Sequence, residues 1–139
     1  MSEKYYTQME AARKGIITEE MRAVARKEYR TEEEIRDLVA KGQVAICANK
    51  RHKCLDPNGV GSMLRTKINV NLGVSKDCKD YEVEMEKVMA AVNMGAEAIM
   101  DLSSHGNTQP FRRKLTQECP AMIGTVPVYD SVIHYKRDL

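Results

Sequence analysis

Lys67-Ile-Asn-Val-Asn71, Ala96-Glu-Ala-Ile-Met100 and Met122-Ile-Gly-Thr-Val126 are three short apolar runs, and the spacers between them decide the fold. In the first spacer Met85, Val88, Met89 and Val92 recur at i, i+3, i+4 and i+7, and Gly95 follows, which predicts an amphipathic helix. In the second, Phe111, Leu115 and Cys119 at i, i+4 and i+8 predict another, with Pro110 in its first turn. Asp130-Ser131 is expected to open one more helix running toward Leu139. Strand–helix–strand alternation means parallel strands joined by right-handed crossovers. Asn71 to Met100 and Met100 to Tyr129 are both steps of 29 residues. A (β/α)₈ barrel averages roughly 31 residues per unit. An open doubly wound sheet has a similar period, so either α/β architecture fits, and three units are too few to close a barrel. Ile68, Val70, Ile99, Ile123 and Val126 are expected to form the inner layer of the strands.

Upstream the pattern differs. Val44-Ala-Ile-Cys-Ala48 reads as a short strand running into a loop with Pro57, Gly59 and Gly61. No helix pattern follows it, so it stands outside a regular βα unit. Before it lie three short, charged helices. Thr7 with Glu10 and Thr31 with Glu34 have capping-box spacing, Thr18 caps a helix toward Tyr29, and Gly15 and Gly42 mark helix ends. The expected organisation is an N-terminal helical layer over residues 1–42 and an incomplete (β/α) barrel segment over 43–139.

Composition narrows the function classes. The chain has 139 residues, 42% apolar and 30% charged, enough for one globular domain with a core. Its net charge of +2 comes from lysines and arginines interspersed with acids. There is no clustered basic face for nucleic acid, and one Phe with no Trp offers no stacking platform. The opening residues carry charges throughout, so neither a secretory signal nor a membrane span is expected, and the expected location is cytoplasmic. Cys47, Cys54, Cys78 and Cys119 form no C-x-x-C pair. They read as free thiols, and they are a poor set for zinc or an iron–sulfur cluster.

In α/β folds ligands bind at the carboxyl ends of the parallel strands. That rule selects Asn69, Asn71, Gly73 and Ser75, then Met100, Asp101, Ser103, Ser104 and His105, then Tyr129 and Asp130. No Ser/His/Asp or Cys/His spacing argues for a nucleophile, so no catalytic residue is assigned. No Walker or dinucleotide loop is present. Ser103 to Asn107 either holds a phosphate by backbone amides at a helix start or is an ordinary turn. His52 and His105 have no second ligand nearby in sequence, and no metal site is expected.

The blocks Thr7-Gln-Met-x-x-Ala-Arg-x-Gly-Ile-Ile-Thr18, Ala48-Asn-x-x-His52, Lys67-Ile-Asn-x-Asn-x-Gly-x-Ser75, Gly95-Ala-x-x-x-Met-Asp-Leu-Ser103 and Gly124-Thr-Val-Pro-Val-Tyr129 resemble, in order, those of the phosphomethylpyrimidine synthase family. The resemblance implies a (β/α)₈ barrel core. It implies a thiamine-biosynthetic lyase that uses S-adenosylmethionine and a [4Fe–4S] cluster, with zinc, to rearrange aminoimidazole ribonucleotide into hydroxymethylpyrimidine phosphate. By motif, the substrate-binding positions fall on Asn71, Met100 and Tyr129. The family's zinc histidines and cluster cysteines have no counterpart here, so no cofactor is expected in this chain alone and the isolated chain is expected to be inactive. A homo-oligomer or a second chain completing the barrel is the expected partner. Val70, Ser104-His105, Asp130-Ser131 and Cys47 depart from the family's usual residues. Two further expectations therefore stand beside the first: a 5-hydroxybenzimidazole synthase paralogue, or a non-catalytic chain that binds a ligand or docks on a partner.

Overall fold

The computed structural model describes residues 5–135. They group into two compact units. The first runs up to Asn49 and includes Asp56–Thr66; the second takes Lys50–Leu55 and the chain from Lys67 onward.

The first unit contains α1 (Gln8–Arg13), α2 (Glu19–Glu28), α3 (Glu32–Ala40), β1 (Val44–Ile46) and β2 (Gly59–Gly61). Its helices begin where threonine can cap. The Thr31 hydroxyl accepts from Glu34 N at 3.2 Å while Glu34 accepts from Thr31 N at 2.9 Å, a complete capping box. At α1 the return bond falls one residue earlier, with Tyr6 N donating to Glu10 at 2.9 Å. Gly15 and Gly42 follow α1 and α3, but α2 ends on Tyr29 in the left-handed region at φ 53°. A side chain there costs about 1–2 kcal/mol. The buried faces converge on Ala11, Met21, Val24, Ile35, Val39, Val44 and Ile46, so β1 packs in the same core as the helices. The strand β2 was not foreseen in the Pro/Gly loop. It pairs antiparallel with β1, Ile46 opposite Gly59 and Val44 opposite Gly61. Backbones approach so closely there that a Cβ at Gly61 would lie 2.1 Å from the Gln43 carbonyl oxygen.

The second unit is the predicted alternation: β3 (Asn69–Leu72), α4 (Tyr81–Asn93), β4 (Ala98–Asp101), α5 (Gln109–Glu118), β5 (Met122–Thr125) and α6 (Pro127–Tyr135). All three strands are parallel in the order β3–β4–β5, a mixed α/β architecture. The helix α6 begins three residues before the expected Asp130, because Pro127 is preset for a first turn. Its expected continuation toward Leu139 lies outside the described residues.

Two expectations are corrected. Val70, Ile99 and Ile123 do not form an inner layer; they lie with Leu72 against Met85, Val88, Phe111 and Leu115 of α4 and α5. Ile68 is exposed. The opposite face carries Asn69, Asn71, Ala98, Met100, Met122 and Gly124. Second, the equal step of 29 residues holds only once. Asn71 pairs with Met100, but Met100 pairs with Gly124, so Tyr129 sits in the first turn of α6 rather than at a strand position.

Among the described residues no helix is long and apolar enough to cross a membrane.

Candidate active-site rim

The carboxyl ends of β3 and β4 are laced together by their own loops. Leu102 N donates to the Leu72 carbonyl at 2.7 Å, and Ser104 N donates to the Val74 carbonyl at 3.0 Å. Ser103, fully buried, accepts from Val74 N at 3.1 Å through its hydroxyl. Gly73 makes this approach possible. At φ +143° it adopts backbone that side chains rarely enter, and a Cβ there would lie 2.5 Å from Ser103 N. Glu84, 1% exposed near the start of α4, accepts from Gly73 N at 2.9 Å and pairs with Lys87 at 2.6 Å.

Against this frame the three sequence-selected residues separate. Asn71 and Met100 are register partners on the face away from α4 and α5. Asn71 is exposed, and its side-chain amide oxygen accepts from the Asn69 side-chain amide at 3.0 Å. Met100 is half-buried and lies over Gly124, where a Cβ would come within 2.7 Å of its terminal methyl. The strand glycine thus leaves the thioether its place. Tyr129 is half-buried on α6, and no hydrogen bond or ring contact among the described residues joins it to Asn71 or Met100.

Other candidates take structural roles. The Ser75 hydroxyl accepts from Asp77 N and Cys78 N, closing a turn. Of the backbone amides over Ser103–Asn107, two are already taken: Ser103 N bonds Asp101 and Ser104 N bonds Val74. Gln109 N bonds Asn107, and Pro110 has no N–H. His52 is buried with its ring nitrogen at the Cys119 carbonyl, to which the Cys54 thiol also donates at 3.2 Å. Burial pushes the Cys119 thiol pKa up. Among the described residues no group of three or more His, Cys, Asp or Glu could hold a metal ion.

One constellation was missed. Asp101, 0% exposed, accepts from Ser103 N at 2.9 Å and pairs with Arg112 Nε at 2.7 Å. The same guanidinium pairs through a second nitrogen with Asp130, which also accepts from the Thr108 hydroxyl at 2.9 Å. Burial would push the Asp130 carboxyl pKa up, but the bonds from Arg112 and Thr108 outweigh it and the net direction is down. Burial likewise works against the Arg112 charge, and the two carboxylates more than restore it. Tyr81 stacks on Phe111 at 5.2 Å between ring centroids, and its hydroxyl donates to the His105 carbonyl at 3.2 Å. Burial, then the Asp101 charge, raises its pKa. Periodicity held a trace of these residues. Glu84 stands four residues before Val88 on the apolar stripe, and Arg112 stands three before Leu115.

Comparison with known proteins places these features in company. The model of the family described as "Radical SAM ThiC family" matches residues 7–138. A phosphomethylpyrimidine synthase of Alkaliphilus oremlandii is 60% identical over 136 residues, covering 98% of this chain and 31% of the relative. One from Clostridioides difficile is 59% identical over 135 residues, again covering 31% of the relative, and one from Clostridium botulinum is 58% identical. The chain therefore spans about a third of the length of the curated relatives it matches.

Proposed function

The chain belongs to the radical SAM ThiC family, and from that premise we propose that it is the opening segment of a phosphomethylpyrimidine synthase, contributing to thiamine biosynthesis. Its sheet supplies successive strands of a (β/α)₈ barrel, and the enzyme rearranges aminoimidazole ribonucleotide into hydroxymethylpyrimidine phosphate. The observation that carries this reading is the register of Asn71 with Met100 on the strand face opposite Val70 and Ile99, which pack in the core with α4 and α5. An amide can donate to and accept from a heterocycle, and a thioether can lie against a flat ring. Tyr129 would reach the ligand from α6, its hydroxyl suited to a phosphate or sugar oxygen. The hydroxybenzimidazole alternative has no such support, since the relatives named above are all pyrimidine synthases.

The residues present do not fit the family's [4Fe–4S] cluster or zinc. Cys47 and Cys78 are exposed, Cys54 and Cys119 meet at one backbone carbonyl, and no metal-competent group of three forms among the described residues. The cluster and S-adenosylmethionine would supply the radical from the remainder of the complete enzyme, so no step through them is assigned to this chain. In the same reading the free edges of β3 and β5 pair with further strands. Those strands come from the continuation of the barrel, whether in a second chain or in another copy. A groove of about 410 Å³ beside β3, lined by Ile68, Val70, Asn71, Leu72, Ala91 and Met94, is the largely apolar surface such a neighbour would border. Within the expected segment over 43–139, the strands from β3 onward are the proposed barrel portion, since β1 and β2 belong to the first unit, and the working location is the cytoplasm.

The test mixes this chain with a relative's chain lacking the matching first third. The mixture is reconstituted anaerobically with iron, sulfide and S-adenosylmethionine, and hydroxymethylpyrimidine phosphate is measured by mass spectrometry. Product is expected only from the mixture, and Asn71→Ala is expected to lower turnover at limiting substrate about tenfold. A mixture that sediments as a complex yet makes no product, or one indifferent to Asn71→Ala, overturns the reading.

A further inference from the structure

We propose that Arg112 is the positioning residue of this rim, a two-armed clamp that fixes the α6 turn bearing Tyr129 to the end of the strand bearing Met100. The proposal rests on the reading above that these two side chains meet the ligand.

The clamp follows from where each partner sits. Asp101 is the residue after Met100 in β4, and because side chains alternate along a strand it points to the opposite face. Asp130 is the residue after Tyr129 in α6. One guanidinium holds both carboxylates, Nε on Asp101 at 2.7 Å and the second arm on Asp130. Asp101 is also fixed by Ser103 N and Asp130 by Thr108, so neither carboxylate can turn without breaking another bond. Arg112 itself stands on a rigid base, because Phe111 beside it and Leu115 one turn on are both buried in the core.

The need for a polar clamp is visible in α6. That helix has no buried residue among those described, and Tyr129, Val132 and Ile133 are only half-buried, so apolar packing alone holds it weakly. A cavity of about 370 Å³, lined in part by Thr108, Arg112, Asp130 and Ile133, lies between α5 and α6. Two carboxylates facing one guanidinium also explain why lysine would fail here: a single ammonium lacks the planar fork that spans both. Among the described residues the remaining guanidinium nitrogen is buried with no partner, so the side chain gives up a hydrogen bond there to hold this orientation.

The experiment follows hydrogen exchange by mass spectrometry on the purified chain, in whatever assembly it forms, for wild type, Arg112→Gln, Arg112→Lys and Asp130→Asn. Asp130→Asn cuts only the α6 arm, and it decides the matter even where Arg112→Gln unfolds. Exchange over 128–135 is expected to rise about tenfold in Asp130→Asn with α4 unchanged. Arg112→Lys is expected to behave like the asparagine variant rather than like wild type. Alongside, aminoimidazole ribonucleotide affinity is measured for Asn71→Ala and Met100→Ala and in a cycle of Asp130→Asn and Tyr129→Phe, where the second change is expected to add nothing to the first. Exchange in α6 that is unchanged, or that rises equally in α4 and α6, overturns the clamp. Affinity that ignores Asn71→Ala and Met100→Ala overturns the ligand reading instead, and leaves the exchange result to judge the clamp alone.

Discussion

The two units bury different things. In the first, the core is a small set of alanines, valines, isoleucines and one methionine. Its charges pair mainly at the surface, as in Arg36–Asp37 and Lys14–Glu10, with Glu28 beneath Arg65 the exception. In the second, the apolar layer under the sheet is accompanied by buried Glu84, Asp101 and Ser103, each bonded to the loops at the strand ends, and by buried Thr108, bonded to Asp130 of α6. Buried polar groups cost free energy unless fully partnered. The first unit buries Thr18 and Asn58 as well, so the contrast lies in the cluster of Glu84, Asp101 and Ser103 at the strand ends of the second, the end proposed above for the ligand.

The sharpest break in that comparison removes a buried charge. Asp101→Ala leaves Arg112 one-armed beside a void and is expected to lower stability by about 3 kcal/mol, the low end for a broken buried pair because Asp130 remains. Arg36→Ala in the first unit, an exposed pair, is expected to cost about 0.5 kcal/mol or less. Urea unfolding of both variants checks the ratio. Equal losses would mean that the Asp101 network is no more than surface decoration. Next in size is Gly73→Ala, which forces a side chain into strained backbone against Ser103 and is expected to cost about 1–3 kcal/mol. The matching change in the first unit, Thr31→Ala, removes one half of a capping box and is expected to cost about 1 kcal/mol. Thermal midpoints rank the two, and a Gly73 variant as stable as wild type would remove the case for a tightly laced rim.

What sequence reading captured, and what it missed, follow the same divide. Threonine caps and glycine stops are local signals, and they located α1, α2 and α3. Period 3.6 located α4 and α5, and alternation with apolar runs gave the parallel sheet. The face of every strand was not equally legible. Ile68-Asn-Val-Asn71 alternates strictly and marks Val70 for the covered side, but Ala98-Ile-Met-Asp101 places apolar side chains on both sides, and only the helices packed against it show that Ile99 faces them. The displacement of Tyr129 has a related cause: a repeat measured between similar residues does not see that the second crossover is shorter, so Met100 meets Gly124. The strand β2, three residues with two glycines, carries no strand propensity, and its pairing with β1 is a tertiary effect. Asp101 and Asp130 were selected by the strand-end rule, but their pairing through Arg112 was not legible, because the three are 11 and 18 residues apart and nothing local joins them.

The smallest expected effect is a pH dependence that again separates the units. Asp130 has its carboxyl pKa held below the ordinary 3.8 by Arg112 and Thr108, against the opposing push of burial. A group whose folded pKa is depressed contributes stability that is present above the unfolded pKa and is lost as pH falls through the folded one. Asp130→Asn should therefore be less stable than wild type near neutral pH, and the two should converge below about pH 4, where the wild-type carboxylate is progressively protonated. The side chain is 36% exposed, so water screens the pair and the gap stays modest. In the first unit Glu34 is held low by the Thr31 backbone N–H, and Glu34→Gln should show the same convergence on a fully exposed site. Midpoints followed by circular dichroism between about pH 3 and pH 7 make the comparison. Only Asp130→Asn should also loosen α6 at neutral pH. Parallel curves for Asp130→Asn and wild type across the whole range would show that Arg112 does not hold this carboxylate in solution, and with it would go the α6 arm of the clamp.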